Sequence, residues 1–309
     1  MKTRQKIQEA IEELHYRPSA IARSLVNKKT NNIGIIVLDI TNPYQTETIR
    51  GIEEYKLENN LEYNVILIDM GSKEGLGDKY IDVLLENRVT GILTTSDKIS
   101  PEYVKFLKIL NIPTIFIGRY VNVPGLDVEF VTIDNRKGAY DMTNHLLGLG
   151  HRNIRYFTGP LDTIVTTSRL DGFKKAIRDH DGEEIVSKVI DSGDFTYEAG
   201  FETAEKLFSS GDKPTAIFCA NDYSAFGVID YCYRKGIRIP QDISIAGFDD
   251  VAFSSFRFIS LTSVKQPIKK LGVIAAEALF RKINENDNNL FQKIIKPEIV
   301  IRKSTGPAS

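Results

Sequence analysis

Side chains with hydrogen-bonding chemistry recur at one kind of place in this 309-residue sequence, directly after short runs of β-branched and aliphatic residues. Asp39 and the turn Asn42-Pro43-Tyr44-Gln45 follow the run 33–38, and Gly118-Arg119 follow 113–117. Gly159-Pro160-Leu161-Asp162 follow 154–158, Asn221-Asp222 follow 215–219, and Asp249-Asp250 follow 243–248. Such positions lie at the carboxyl ends of buried strands, where open α/β sheets bind ligands. Carboxylate and amide oxygens accept from hydroxyls, arginine donates through a fixed fork, and an aromatic such as Phe195 covers the C–H face of a sugar ring. The set suits a polyhydroxylated small molecule. Taken singly, each residue is accounted for by a turn or a helix cap, Asp222 above all. Their convergence carries the reading.

Other chemistries find little support. The four histidines, His15, His145, His151 and His180, include no pair at metal-ligand spacing, and surface or helix-end places are expected for them. The two cysteines, Cys219 and Cys232, match no zinc pattern and are expected to be unpaired thiols of a reducing compartment. There is no G-x-S-x-G elbow and no phosphate-binding loop of the Walker type. The first strand-to-helix turn, Asp39-Ile40-Thr41-Asn42-Pro43, lacks the glycines of a dinucleotide fold. Gly148-Leu149-Gly150 sits at a helix end, where a C-cap role explains Gly150. A catalytic residue, a metal and a cofactor are therefore not expected, and neither is an enzyme.

The elements that must position these groups follow a regular rhythm. Strands are expected at 33–38, 63–68, 91–93 and 113–117, with helices at about 43–60, 76–87 and 101–110. The rhythm restarts with strands at 130–133, 154–158, 215–219 and 243–248, and helices at 135–149, 165–180, 196–209 and 222–235. Near-continuous apolar strands between amphipathic helices indicate parallel sheets covered on both faces. The fold class is α/β, with two doubly wound subdomains and no sequence repeat between them.

The first 30 residues differ. Ile7, Ala10, Ile11 and Leu14 define one helical face, and Pro18 suits the first position of a second helix over 18–26. That helix is too short to stand alone, since isolated helices under about 12–15 residues are marginal in water. Seven Lys/Arg against three Glu give this segment a net charge of +4, whereas the whole chain, with 40 basic and 41 acidic side chains, carries −1. A basic arm on an acidic body is one signature of nucleic-acid contact, and a solvated surface helix is the plainer alternative. Apolar residues at 42% and charged residues at 26% are ordinary for a soluble globular chain. No stretch reaches the roughly 18 apolar residues of a membrane span. A signal-peptide centre is also lacking, and the expected location is the cytoplasm.

These pieces together resemble the LacI/GalR-type transcriptional regulators. The matching segments are Tyr16-Arg17-Pro18 through Ala22-Arg23-Ser24-Leu25; Asp39-Ile40-Thr41-Asn42-Pro43; Gly159-Pro160-Leu161-Asp162; Arg169-Leu170-Asp171-Gly172-Phe173; Asn221-Asp222; Ile239-Pro240-Gln241-Asp242-Ile243 through Gly247-Phe248-Asp249-Asp250; and Leu261-Thr262-Ser263-Val264-Lys265-Gln266-Pro267. They run in family order over nearly the whole chain. The resemblance implies a periplasmic-binding-protein-like core whose two subdomains are joined by three crossovers. It places one subdomain at 32–133 plus 267–290 and the other at 134–266 plus 291–309, with 1–31 as a remnant of a DNA-binding head and its hinge helix. Relative to the family pattern, the first part of the helix-turn-helix is missing.

The resemblance also implies site residues. Effector contacts fall on Tyr44, Gln45, Arg119, Arg169, Phe195, Asn221, Asp249 and Gln266. The aspartate that usually precedes the arginine is replaced here by Gly118, which leaves the partner of Arg119 open. DNA contacts fall on Arg17, Ser19, Ala22, Arg23, Leu25, Lys28 and Lys29, with Leu25 as the minor-groove wedge. Together with Gly193-Asp194-Phe195, the pattern is most similar to the ribose-operon branch. The expected function is a homodimeric, sugar-responsive repressor of operator DNA whose effector, a pentose such as ribose, binds between the subdomains. The alternatives are a sugar-binding protein without a DNA role, and a purine- or phosphoprotein-responsive regulator of the same fold.

Overall fold

The computed structural model describes residues 30–71, 77–180 and 184–308. The first sheet is built from β1 (Asn32–Val37), β2 (Asn64–Asp69), β3 (Ile92–Thr94), β4 (Thr114–Ile117) and β5 (Glu129–Ile133). Its helices are α1 (Pro43–Glu58), α2 (Gly77–Glu86) and α3 (Pro101–Ile109). The second sheet contains β6 (Asn153–Thr158), β7 (Val186–Asp191), β8 (Ala216–Cys219), β9 (Ser244–Asp249) and β10 (Thr262–Lys265). With it go α4 (Asn135–Gly148), α5 (Ile164–Asp179), α6 (Tyr197–Ser209) and α7 (Asp222–Arg234). The chain ends with α8 (Ile268–Glu285), β11 (Gln292–Ile295) and β12 (Glu298–Val300).

Strand order is β11-β5-β4-β3-β1-β2 in one sheet and β12-β10-β9-β8-β6-β7 in the other. Every pairing is parallel except that of β10 with β12. Successive side chains of a strand point to opposite faces. Ile33, Ile35 and Val37 enter one apolar core while Ile36, next to them in sequence, enters another. In the second sheet Tyr156 and Phe218 face one core, and Phe157, Ile217 and Cys219 another. Both sheets are thus covered on both faces, which explains why these strands lack the polar alternation of a half-exposed sheet.

The helix α8 returns to the first lobe and packs on α1 at very close range. A Cβ on Gly51 would stand 2.0 Å from the Lys269 carbonyl oxygen, and one on Gly272 would stand 2.2 Å from that of Thr48. Only glycine at both positions lets the two backbones approach so closely. The strand β11 then pairs with β5 in the first sheet, with Ile295 opposite Ile133. Residues 292–295 therefore belong with the first lobe, and not with the second as in the sequence-based division at 290. The return to the second sheet comes between β11 and β12. The chain passes between the sheets three times, after β5, after β10 and after β11.

Most expected elements lie within two residues of their observed bounds. The strand β7 was not expected: it is an edge strand whose residues are exposed or half-buried, so it carries no apolar run. Residues 1–29 lie outside the described residues. That segment includes Arg17, Ser19, Ala22, Arg23, Leu25, Lys28 and Lys29, and with them the helical face of Ile7, Ala10, Ile11 and Leu14 and the helix expected over 18–26. Among the described residues, no helix is long and apolar enough to cross a membrane, and no group of three His, Cys, Asp or Glu is placed to hold a metal ion.

Candidate functional site

The parallel strands of both sheets direct their carboxyl ends toward one hollow. It is lined by Asn42, Tyr44, Gln45, Gly118 and Arg119 from the first lobe, Val165, Arg169, Phe195, Asn221 and Asp249 from the second, and Gln266 from the crossover after β10. All eight side chains that the family resemblance assigns to a small ligand are therefore brought together. The hollow is narrow, with a cavity volume of about 30 Å³.

Local sequence explains each placement. Asn42 caps α1 by accepting from the Tyr44 amide at 3.0 Å, with Pro43 in the first turn. This turns Tyr44 and Gln45 inward, where both are buried. Gln45 Oε1 accepts from the Thr95 hydroxyl. Thr163 caps α5, accepting from the Thr166 amide at 3.1 Å, and Arg169 follows on the buried face of that helix. Asn221 caps α7 through the Ser224 amide at 2.9 Å, while its Nδ2 donates to the Phe195 carbonyl at 2.9 Å. One asparagine thus fixes both a helix start and the backbone that carries the aromatic.

Arg169 is the best-anchored charge. Its Nε donates to Asn135 Oδ1 at 2.9 Å, and Nη1 donates to the Ala220 carbonyl. Nη2 lies 3.6 Å from Asp249 Oδ1, and the guanidinium sits 3.6 Å above the Phe248 ring. Asp249 ends β9 with φ of 120°, a conformation that non-glycine residues hold only when their surroundings impose it. Its Oδ1 accepts from Gln266 Nε2 at 2.6 Å. Burial pushes the Asp249 carboxyl up to about 6, against the opposing pull of Arg169 and the Gln266 hydrogen bond. Burial likewise lowers the Arg169 guanidinium and raises the Tyr44 phenol.

Behind these groups lies Asp222, fully buried. Its Oδ2 accepts from the Val251 amide at 3.0 Å and the Ser254 hydroxyl at 2.6 Å, and its Oδ1 from Ser263 at 2.5 Å. Burial pushes its carboxyl up to about 8, with the Asp249 charge adding to the rise. Asp222 ties α7 to the turn after β9 and to β10. Asp250 pairs with Arg302 at 2.6 Å, and Asp39 accepts from Thr41 in its own turn. Neither lines the hollow.

Several residues here escaped the sequence reading. Asn135 holds Arg169, and Thr95 holds Gln45. Asp97 is the ion-pair partner of Arg119, with Nη1 to Oδ1 at 3.6 Å. All three follow strand ends, so the rule that found the others reaches them too. The strand before Thr95 and Asp97 was itself expected, at 91–93, but the polar residues that follow it were not singled out. His151 is a second difference. It is buried, not on the surface, and contacts Thr215 at 3.0 Å, Ser244 at 2.9 Å and the Gly306 carbonyl at 3.0 Å. His145 and His180 do sit in or next to the last turns of α4 and α5. Cys219 and Cys232 are buried free thiols. A wider hollow of about 310 Å³ lies at the opposite ends of β4 and β5, but there Lys282 and Glu129 close on each other at 2.6 Å.

Residues 143–305 match the family described as periplasmic binding protein-like domain. The chain is 34% identical over 306 residues to catabolite control protein A of Priestia megaterium, covering 98% of this chain and 90% of the relative. It belongs to the LacI family of transcriptional regulators. The HTH-type transcriptional repressor PurR of Photobacterium profundum is 32% identical over 303 residues, covering 98% of this chain and 89% of the relative. Among solved structures, a LacI family regulator from Enterococcus faecium with bound ribose superposes with a TM-score of 0.77 at 26% identity. That match covers 90% of this chain and all of the other. These LacI-family relatives are transcriptional regulators, not enzymes.

Proposed function

We propose that this LacI-family regulator is a repressor that senses an uncharged, hydroxyl-rich effector, a pentose such as ribose, in the hollow between its lobes. The observation that carries the reading is the composition of that hollow. Two arginines, Arg119 and Arg169, are each matched by a carboxylate, Asp97 and Asp249, and amides and aromatics complete the lining. Such a site offers donors and acceptors without net charge, and the faces of Tyr44 and Phe195 cover apolar ring atoms. The ribose-bound relative adds support from the same fold.

Effector binding sets how far the lobes close, and closure sets the spacing of the basic segments 17–29 of two subunits on operator DNA. The ligand must bind one closure state better than the other. A coupling of about 1–3 kcal/mol, or roughly 5–150-fold in operator affinity, is the usual size. Homodimer formation is supported by a cluster of exposed aromatics, Phe253, Phe256 and Phe258, on the second lobe, a patch suited to self-association. The proposed place of action is the cytoplasm, where operator DNA is.

Titration calorimetry with pentoses, hexoses and purines tests the effector class, and operator binding with and without the best ligand tests the coupling. The expected result is one sugar bound in the micromolar range that changes operator affinity. Binding of a purine alone, or a sugar that leaves operator affinity unchanged, would refute the reading.

A further inference from the structure

The two arginines of the hollow are held differently. Arg169 donates to two neutral oxygens and lies against an aromatic face. Arg119 lies 5.2 Å from the Phe195 ring centre and pairs with Asp97 at 3.6 Å. Asp97 leaves the end of β3, its side chain is only 7% exposed, and both its oxygens lack a hydrogen-bond partner among the described residues. A carboxylate in that condition is held in place by its cation and by little else. The residue directly before the arginine cannot substitute for it. Position 118 is glycine at φ of 76°, and a Cβ there would stand 2.0 Å from the Tyr44 hydroxyl oxygen. The tyrosine fills the room that a side chain at 118 would need, so the carboxylate facing Arg119 comes from another strand end.

We propose that Asp97 is a positioning residue that fixes the Arg119 guanidinium and, by cancelling its charge, selects an uncharged polyol over the phosphorylated form of the same sugar. The inference deepens the reading of the hollow as a sugar site and rests on it. With Asp97 against Arg119 and Asp249 against Arg169, the lining offers a phosphate dianion no surplus positive charge. Taking such an anion out of water without compensation is strongly unfavourable. Replacing Asp97 by a neutral amide leaves Arg119 uncancelled and unanchored. It then becomes a better anion ligand and a poorer hydroxyl donor.

The test measures matched pairs by calorimetry on the full chain: ribose with ribose 5-phosphate, and glucose with glucose 6-phosphate. For whichever sugar the wild type binds, Asp97→Asn is expected to weaken the free sugar several-fold through the lost anchor of Arg119 and to strengthen its phosphate by roughly tenfold or more, since one unit of charge about 4 Å away is worth about fivefold even in bulk water and more where the site is desolvated. Asp162→Asn removes the same charge from an exposed rim position and is expected to leave the ratio within about twofold, because solvent and salt screen it. Arg119→Gln leaves the Asp97 charge uncancelled and is expected to move the ratio further against the phosphate, a readout that does not depend on Asp97→Asn folding. The melting temperature without ligand reports whether each variant is folded. An unchanged ratio in Asp97→Asn, an equal shift in Asp162→Asn, or an Arg119→Gln ratio that fails to move further against the phosphate overturns the proposal and leaves the sugar reading standing. If the wild type binds no sugar of the panel, the sugar reading itself fails, and the selectivity with it.

Discussion

The two lobes contribute unequal halves to the hollow. On the second lobe the polar groups are cross-linked before any ligand arrives. Arg169 is tied to Asn135, Ala220 and Asp249, Asn221 to Phe195 and Ser224, and Asp222 to three partners from two other segments. On the first lobe the ties are sparser. Gln45 rests on Thr95, and Arg119 pairs with Asp97 at 3.6 Å, the same distance as Arg169 to Asp249, but without the two hydrogen bonds that also hold Arg169. The second lobe is a preorganised grid, and the first is an adjustable cover. Changes in the grid are expected to cost stability and binding together, whereas changes in the cover alter ligand choice with the fold intact.

The sharpest way to break this contrast is Arg169→Ala. It leaves Asp249 buried without its cation, and breaking one partner of a buried pair typically costs about 3–5 kcal/mol. Urea unfolding is expected to show a loss of that order, and calorimetry to show no effector binding at millimolar ligand. A variant that stays as stable as the wild type would mean that the second-lobe network is not a preformed unit.

Much of the lining was legible in the sequence through one simple rule, that polar residues directly after apolar runs reach the crevice, although Asp39, Asp162, Asp222 and Asp250 follow such runs without lining the hollow. Tyr44, Gln45, Arg119, Arg169, Phe195, Asn221, Asp249 and Gln266 all reach it, although for Arg169 and Gln266 only the family resemblance pointed there. What stayed hidden has physical causes. The strand β7 is polar and exposed at a sheet edge, so periodicity gives it no signal. The pairing of β11 with β5 joins residues more than 150 apart in the chain, and no local pattern encodes it. Asp97 and Asn135 act on other side chains and not on the hollow itself, and such second contacts depend on distances that only the folded chain supplies.

A pH series sharpens the comparison at the level of Asp249. Burial pushes its carboxyl up to about 6, above its unfolded value, so the folded state holds a proton that the unfolded chain has already released. Stability from this group is full below about 4 and is lost as pH rises through about 6. Asp222, pushed up to about 8, acts with the same sign over a wider window. Effector binding should run the opposite way, because only the ionised Asp249 accepts from two ligand hydroxyls at once. Acidification from pH 7 to 5 is therefore expected to raise the melting temperature of the ligand-free protein while weakening effector binding up to about tenfold, the factor for one pH unit below the titration point. Asp249→Asn should remove the pH dependence of binding and leave the Asp222 part of the stability slope. If binding and stability move in the same direction, Asp249 is not the acceptor.

The smallest effect is expected where the lobes meet at the rim. Lys98 from the first lobe pairs with Asp162 of the second at 3.3 Å, with the two side chains 33% and 69% exposed. Exposed pairs of this kind are worth about 0–1 kcal/mol and are screened by salt. Because the pair bridges the lobes, its loss is expected to act on closure and not on the grid. Lys98→Ala is expected to lower effector affinity less than about fivefold, with a difference from wild type that shrinks as salt is raised and with no change in unfolding by urea. Calorimetry at two ionic strengths checks this. A salt-independent loss as large as that of Arg169→Ala would place the anchoring energy of the site at its rim, and the contrast between grid and cover would then have to be drawn along the cleft edge instead of between the lobes.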